Sequence, residues 1–304
     1  MNRAMLAGLL ALQVLIGGVV FAWNLREPDQ PGVFFTFDPE AVTQIEVVTE
    51  EATIDVRKTG ETWQLADGKP ADGEKVIDTL EKLASASSGW PVATSASTAE
   101  RFEVTEAKFQ KRLTLKAEDD VVADAYFGTS PSYRRVHVSE ADGGPVYAIE
   151  FSNYELGNDN ASWLNKNLLR PVGSLKQITH DGEYTINSVN GTWTAADGSE
   201  LDKEEVDKVV RRFENLTVYT ISDDAELPDS PTAALTWRDD QGDTTLSLFH
   251  LEEDDDWIAT SDRVPGQYGI STYIAKDLAL KKADLMPEVA AETTAEAGDA
   301  VPPE

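Results

Sequence analysis

Apolar residues run from Ala4 to Trp23, interrupted only by Gln13 and a few glycines. Twenty residues of helix span roughly 30 Å, the thickness of a bilayer's hydrocarbon core. The pattern therefore predicts a transmembrane helix over residues 1–25, with Trp23 where an interfacial aromatic belongs. Its exit, Phe21-Ala22-Trp23-Asn24, matches poorly the small-residue site at which a secretory signal is cut, so the segment reads as an uncleaved anchor. Arg3 precedes the run, whereas Arg26 behind it is diluted by Glu27 and Asp29. That asymmetry puts the N-terminus in the cytoplasm and the rest of the chain outside. An inner-membrane, single-pass protein with a periplasmic body is the expectation. Residues 26–33, with Pro28 and Pro31, form a linker.

Beyond the linker the pattern changes to short alternating runs. Asp38 before Pro39-Glu40 has the form of an N-cap with proline at the first helical position. Ile45 and Val47 alternate with polar residues, Ala52 to Val56 alternates again, and Thr59-Gly60-Glu61 turns into a third strand, Thr62–Leu65. Asp67-Gly68 is a turn signal, and Asp72 is placed to cap a helix whose apolar stripe is Val76, Ile77, Leu80 and Leu83. Residues 84–97, around Trp90-Pro91, read as a loop with a brief extended piece, and 99–108 as a short turn. Leu113 and Leu115 open a strand, Glu118-Asp119-Asp120 turns it, and Val121, Ala123, Ala125 and Phe127 return on one face. Residues 133–138 and 145–149 form two more strands about Asp142-Gly143-Gly144. Residues 153–169 close the unit with a short helix near Trp163-Leu164.

The order then recurs. Trp63, Asp67, Gly68 and Asp72 read W-x3-D-G-x3-D, and Trp193, Asp197, Gly198 and Asp202 repeat the pattern 130 residues later. Asp202 precedes a helix with Val206, Val209, Val210, Phe213 and Leu216 inward. Leu113-Thr114-Leu115-Lys116 is echoed by Leu235-Thr236-Trp237-Arg238, and Tyr147 late in the first unit by Tyr273 in the second. Gln177-Ile178 echoes Gln44-Ile45, and Asn190-Gly191 makes a hairpin turn into Trp193. The pattern predicts two tandem, duplicated α+β domains with mainly antiparallel sheets, residues 34–172 and 173–286. Each Trp is expected to pack beneath its helix. The Ala-, Glu- and Thr-rich stretch 287–304 is too poor in apolar residues to fold and is expected to be a disordered acidic tail.

Composition narrows the partners. The formal charge is -29, from 55 acidic and 26 basic residues. Such a surface repels nucleic acid phosphates and anionic lipid headgroups, so neither is expected as a general partner. There is no cysteine, which removes thiol catalysis, disulfides and thiolate zinc sites. His137, His180 and His250 stand far apart, without a second ligand at helical spacing. His137 and His250 read as half-exposed strand residues. The acidic run Glu252–Asp256 lacks the glycine and terminal glutamate of a calcium loop and reads as a solvated turn. Ser130-Pro131-Ser132 sits between strands rather than at a strand-to-helix elbow. No catalytic, cofactor-binding or metal-ligating residue is assigned, and no cofactor is expected.

The apolar N-terminus, the opening Phe37-Asp38-Pro39-Glu40-Ala41-Val42, Trp63 with Ala71-Asp72 before a helix, and Tyr147 in a late strand together resemble the domain-of-unknown-function 4340 family, in two tandem copies. The expected Gly-Leu segment between helix and hairpin is replaced by Arg101-Phe102-Glu103-Val104. The resemblance implies a bacterial membrane-tethered envelope protein. It also implies companionship with ABC-type export systems, including gliding-motility components, and carries no catalytic residues. The expected function is a non-enzymatic extracytoplasmic accessory protein contacting a transporter or another envelope protein. The alternative is a ligand-binding module using the cleft between domains, with Trp90, Trp163 or Trp237 as lining.

Overall fold

A computed structural model describes residues 32–287. The expected membrane helix and the acidic tail beyond residue 287 lie outside the described residues. Among the described residues, no helix is long and apolar enough to cross a membrane. The fold is α+β: mostly antiparallel sheet with a few short helices. The chain divides into two compact units. The first runs to Ala66 and resumes over Gly73–Trp163; the second holds Asp67–Asp72 and the chain from Leu164.

In the first unit, Asp38 accepts a hydrogen bond from the Glu40 amide and Pro39 starts a 3-10 turn, as the local sequence dictates. Three strands follow as a meander: β1 (Gln44–Val48), β2 (Thr53–Thr59) and β3 (Thr62–Leu65). Helix α1 (Gly73–Ala84) buries Val76, Thr79, Leu80 and Leu83. Ile77, expected in that stripe, is 54% exposed. The helical period takes the buried face from Val76 to Thr79, Leu80 and Leu83, leaving position 77 about 100° off. Trp63 is buried, and a side-chain methyl built on Gly73 would sit 3.7 Å from its ring, which places the indole at the helix start.

Helix α2 (Ala96–Arg101) leads into a small hairpin, β4 (Val104–Thr105) with β5 (Lys108–Phe109). The rest of the sheet is a second meander: β6 (Lys111–Ala117), β7 (Asp120–Phe127), β8 (Val136–Glu140) and β9 (Tyr147–Ile149). Strand β6 pairs with β1, giving the order β3-β2-β1-β6-β7-β8-β9. Residues 87–93 extend this order by bridging to β9 at Ser88–Ile149 and Ala93–Val146. The expected single face Val121–Phe127 is broken. Leu115 opposes Ala123 but Lys116 opposes Val121, so Val122 is an extra residue and Val121 turns outward, 57% exposed.

The second unit has strands β10 (Gln177–His180), β11 (Tyr184–Val189) and β12 (Thr192–Ala195), then helix α3 (Lys203–Glu214). It continues with β13 (Val218–Ile221), β14 (Ala233–Asp239), β15 (Gly242–Leu251), β16 (Asp256–Ser261), β17 (Tyr268–Ile270) and helix α4 (Thr272–Leu278). Its sheet order is β12-β11-β10-β14-β15-β16-β17-β13. The β11–β12 turn places Asn190 and Gly191 at φ +52° and +80°, the signature of the expected Asn-Gly hairpin. Asp202 accepts from the Glu204 and Glu205 amides at the start of α3. Val206, Val209, Val210, Phe213 and Leu216 are all buried. Trp193 is only half-buried, unlike Trp63. Tyr273, matched to the strand residue Tyr147, instead lies on α4 and is 65% exposed under Arg212. The late strand carries the buried Tyr268.

One charged network anchors the start of this unit. The Asp239 side chain is fully buried. It accepts from the Val172 amide (2.8 Å), the Gln241 amide (2.8 Å), Trp237 Nε1 (3.0 Å) and both Arg263 terminal nitrogens (2.8 and 3.0 Å). Burial opposes its charge, yet these donors outweigh burial and hold the carboxyl far below the usual carboxylate range. Asp239→Ala should cost about 3–5 kcal/mol by stranding Arg263 and two amides. Arg238→Ala, which breaks an exposed pair with Asp243, should leave the urea midpoint nearly unchanged. The native carboxyl's advantage exists above the unfolded carboxylate pKa and is lost as pH falls below about 4. Urea unfolding from pH 6 to pH 3 should therefore show wild type approaching Asp239→Ala.

Candidate functional site

The residues with the most chemical potential in the sequence are held by structural contacts. His137, expected half-exposed, is buried. Its ring stacks on Phe102 at 4.0 Å between centroids and its Nδ1 bonds Thr129 Oγ1 at 2.9 Å. Burial pushes its pKa down. His180 donates from Nδ1 to the Leu280 carbonyl at 2.9 Å. His250 stacks on Trp257 and meets Asp255 at 2.7 Å, a bond that lowers the Asp255 pKa. The acidic run Glu252–Asp256 spans the β15–β16 turn. Ser130-Pro131-Ser132 joins β7 to β8. Among the described residues, no cluster of three or more His, Cys, Asp or Glu side chains is arranged to hold a metal.

The first unit carries a groove of about 720 Å³, lined among others by Glu50, Glu103, Gln110, Lys111, Asn153 and Tyr154. Lys111 is its chemical centre. As the first residue of β6 it shares the face of Leu113 and Leu115, so the strand's phase drives an amine toward the core. It is 6% exposed. Its Nζ donates to the Asn153 carbonyl at 2.9 Å and to the Gly157 carbonyl. Gly157 has φ +66°, and a Cβ there would come within 2.5 Å of Ser162 Cβ, so only glycine can present that carbonyl. Lys111 forms no ion pair among the described residues, whereas the neighbouring Lys108 is paired with Glu103 at 3.1 Å. Burial, assisted by the positive charge of Lys75, pushes its pKa down to about 8.

Around the amine lies a polar chain. Asn153 Nδ2 donates to Gln110 Oε1 at 2.9 Å, and Gln110 Nε2 donates to Glu103 Oε2 at 2.8 Å. Asn153 Oδ1 is buried with no donor among the described residues. Tyr154, 87% exposed, lines the same groove. An ammonium has three N–H bonds and two are occupied here. The groove thus sets an amine with one N–H unused beside the polar chain of Asn153, Gln110 and Glu103, a set that suits a hydroxyl or amide group. Glu50, Glu51 and Glu103 along the lining disfavour anions. The histidines and acidic runs drew attention in the sequence; Lys111 did not. Its signal was present: a lysine in phase with two core leucines. Trp163 and Trp237, proposed as pocket lining, are fully buried, and neither they nor the exposed Trp90 line this groove.

A family model described as Domain of unknown function (DUF4340) matches residues 63–236, more than half of the chain and as one copy. No curated protein and no solved structure matches the chain.

Lys111 gives the groove a titration of its own. With the folded pKa near 8 and the unfolded value near 10.4, the native state binds fewer protons between them, so stability rises with pH in that window. Guanidinium unfolding of wild type and Lys111→Met should show the difference shifting in favour of wild type from pH 7 to pH 10. The shift should be on the order of 1–3 kcal/mol. A pH-independent difference would mean that Lys111 titrates as a solvated lysine.

Proposed function

This chain belongs to the DUF4340 family, and from that premise we propose that it is a membrane-tethered, non-enzymatic accessory protein whose folded units work outside the membrane. The observation that carries the reading is the apolar run Ala4–Trp23 joined by a short linker to antiparallel sheets. Support for a non-catalytic role comes from the described histidines, each tied to a ring, hydroxyl, carbonyl or carboxylate of the fold. The partner we infer is an ABC-type transporter or another envelope protein, a class suggested by the resemblance in sequence. We also propose that the two units arose by tandem duplication. Their matching strand orders, and residues 87–93 lying beside β9 as β13 lies beside β17, support that origin. The single-copy family match runs from β3 of the first sheet into β14 of the second.

A second reading, a ligand-binding module, is favoured by the groove around Lys111, with its polar chain Asn153, Gln110 and Glu103 and the exposed Tyr154. The two readings are compatible if the groove takes a side chain of the partner protein.

Topology is tested by fractionation. The full chain should remain with membranes after alkaline carbonate washing. It should be cleaved by added protease in spheroplasts and resist it in intact cells. Release by carbonate would remove the tether, and protection in spheroplasts would place the units on the wrong side.

A further inference from the structure

We propose that the loop Gly89–Val92 is a membrane-contact surface, with Trp90 seated in the phospholipid interface of the bilayer that holds the N-terminal segment; this rests on the tether reading above. The first described residues run beside the strand that ends in this loop. Ser88 donates to the Gly32 carbonyl through its amide (2.8 Å) and its hydroxyl (3.1 Å), and the Phe34 amide donates to the Ala86 carbonyl (3.0 Å). Eight residues, Asn24–Pro31, separate Trp23 from Gly32. Fully extended they reach roughly 30 Å at most. The loop two residues past Ser88 is therefore tethered within reach of the bilayer surface, its entry at Ser88 lying no more than roughly 30 Å from the end of the apolar run.

Its shape and composition fit that location. Ser88 bridges Ile149 and Ala93 bridges Val146, so Gly89–Val92 bulges out opposite only Tyr147 and Ala148. Trp90 is 68% exposed, and Val92 and Val33 are about half exposed. Tryptophan favours the membrane–water boundary because its ring is apolar and its N–H needs a polar partner. In a chain with 55 acidic residues, positions 83–99 hold no charge at all. The corresponding stretch after α3, residues 215–229, has an exposed aromatic too, Tyr219, but carries Asp223, Asp224, Glu226 and Asp229. Acids are thus missing from the stretch that pairs with the residues following the tether and present in the matching stretch of the second unit. At the same end of the sheet, Val136 pairs with Ile149, and the preceding turn carries Tyr133, Arg134 and Arg135. Tyr133 is 86% exposed beneath Arg134, and Arg135 reaches the Ala148 carbonyl. Two guanidinium groups there suit lipid phosphates. Of the nearby acids, Glu150 is engaged by the Ser87 hydroxyl at 3.4 Å, and Glu140 lies in the cleft shared by Val33, Ser88 and Tyr147, on the side of the loop away from the two arginines.

The absence of cysteine makes the test clean. Single cysteines Val92→Cys, Val14→Cys and Tyr154→Cys in the full chain would carry an environment-sensitive fluorophore in vesicles of phosphatidylethanolamine and phosphatidylglycerol. A doxyl-labelled lipid is the quencher. Positions 92 and 14 should both be quenched and 154 should not. Adding Trp90→Ser to the Val92→Cys chain should lower its quenching several-fold, with an unchanged circular dichroism spectrum. If 14 is quenched and 92 behaves like 154, the tether stands and the contact surface is refuted. If 14 is not quenched, the tether reading fails and takes this proposal with it.

Discussion

Each sheet depends on one central strand pairing that is not local. Strands β1 and β6 pair although two helices and a small hairpin lie between them in sequence, and β10 and β14 pair across α3; apart from the edge pair β13–β17, the other neighbours in the two sheets are hairpin partners. The non-local pairs must close long loops before they gain any contact energy. They are also registered alike: Gln44 opposes Lys116 and Ile45 opposes Leu115 in one sheet, Gln177 opposes Arg238 and Ile178 opposes Trp237 in the other. A slip of one residue would turn Leu113 and Leu115, or Leu235 and Trp237, to the wrong face, so burial of these residues fixes the register. Once β6 is set, its phase carries Lys111 inward, and the groove follows from the same pairing that builds the core.

Much of this architecture was legible because local signals and burial agree. Asp38 and Asp202 cap where their side chains predict, Asn190-Gly191 turns as its backbone preference requires, and the α3 stripe is wholly buried. The misreadings share a cause: a pattern can be continued past a point where backbone geometry changes. Alternation ran straight through Val122, yet the bulge opposite Leu115–Lys116 reversed Val121. Tyr273 repeated the residue type of Tyr147 without repeating its strand. The groove was the least legible part. Its Asn153 and Gly157 carbonyls converge on Lys111 through tertiary packing, and no spacing along the chain encodes that meeting.

What the two units share is scaffold; what differs between them is surface. The position matching Lys111 at the start of β14 is Ala233, which is buried without a charge. The uncharged stretch around Trp90 becomes acidic around Tyr219. Function is accordingly expected where the two units diverge, in the groove of the first unit and at its edge beside Gly32, rather than in the Trp-turn-helix element that recurs.

Each unit is held by its central non-local strand pair, β1–β6 or β10–β14, and native-state amide exchange on the full chain tests this directly. Amides of β1, β6, β10 and β14 should be the slowest to exchange in their respective sheets, with edge strands β3 and β12 opening earlier. Slowest exchange in the local hairpins, with β1–β6 or β10–β14 among the first pairs to open, would contradict it.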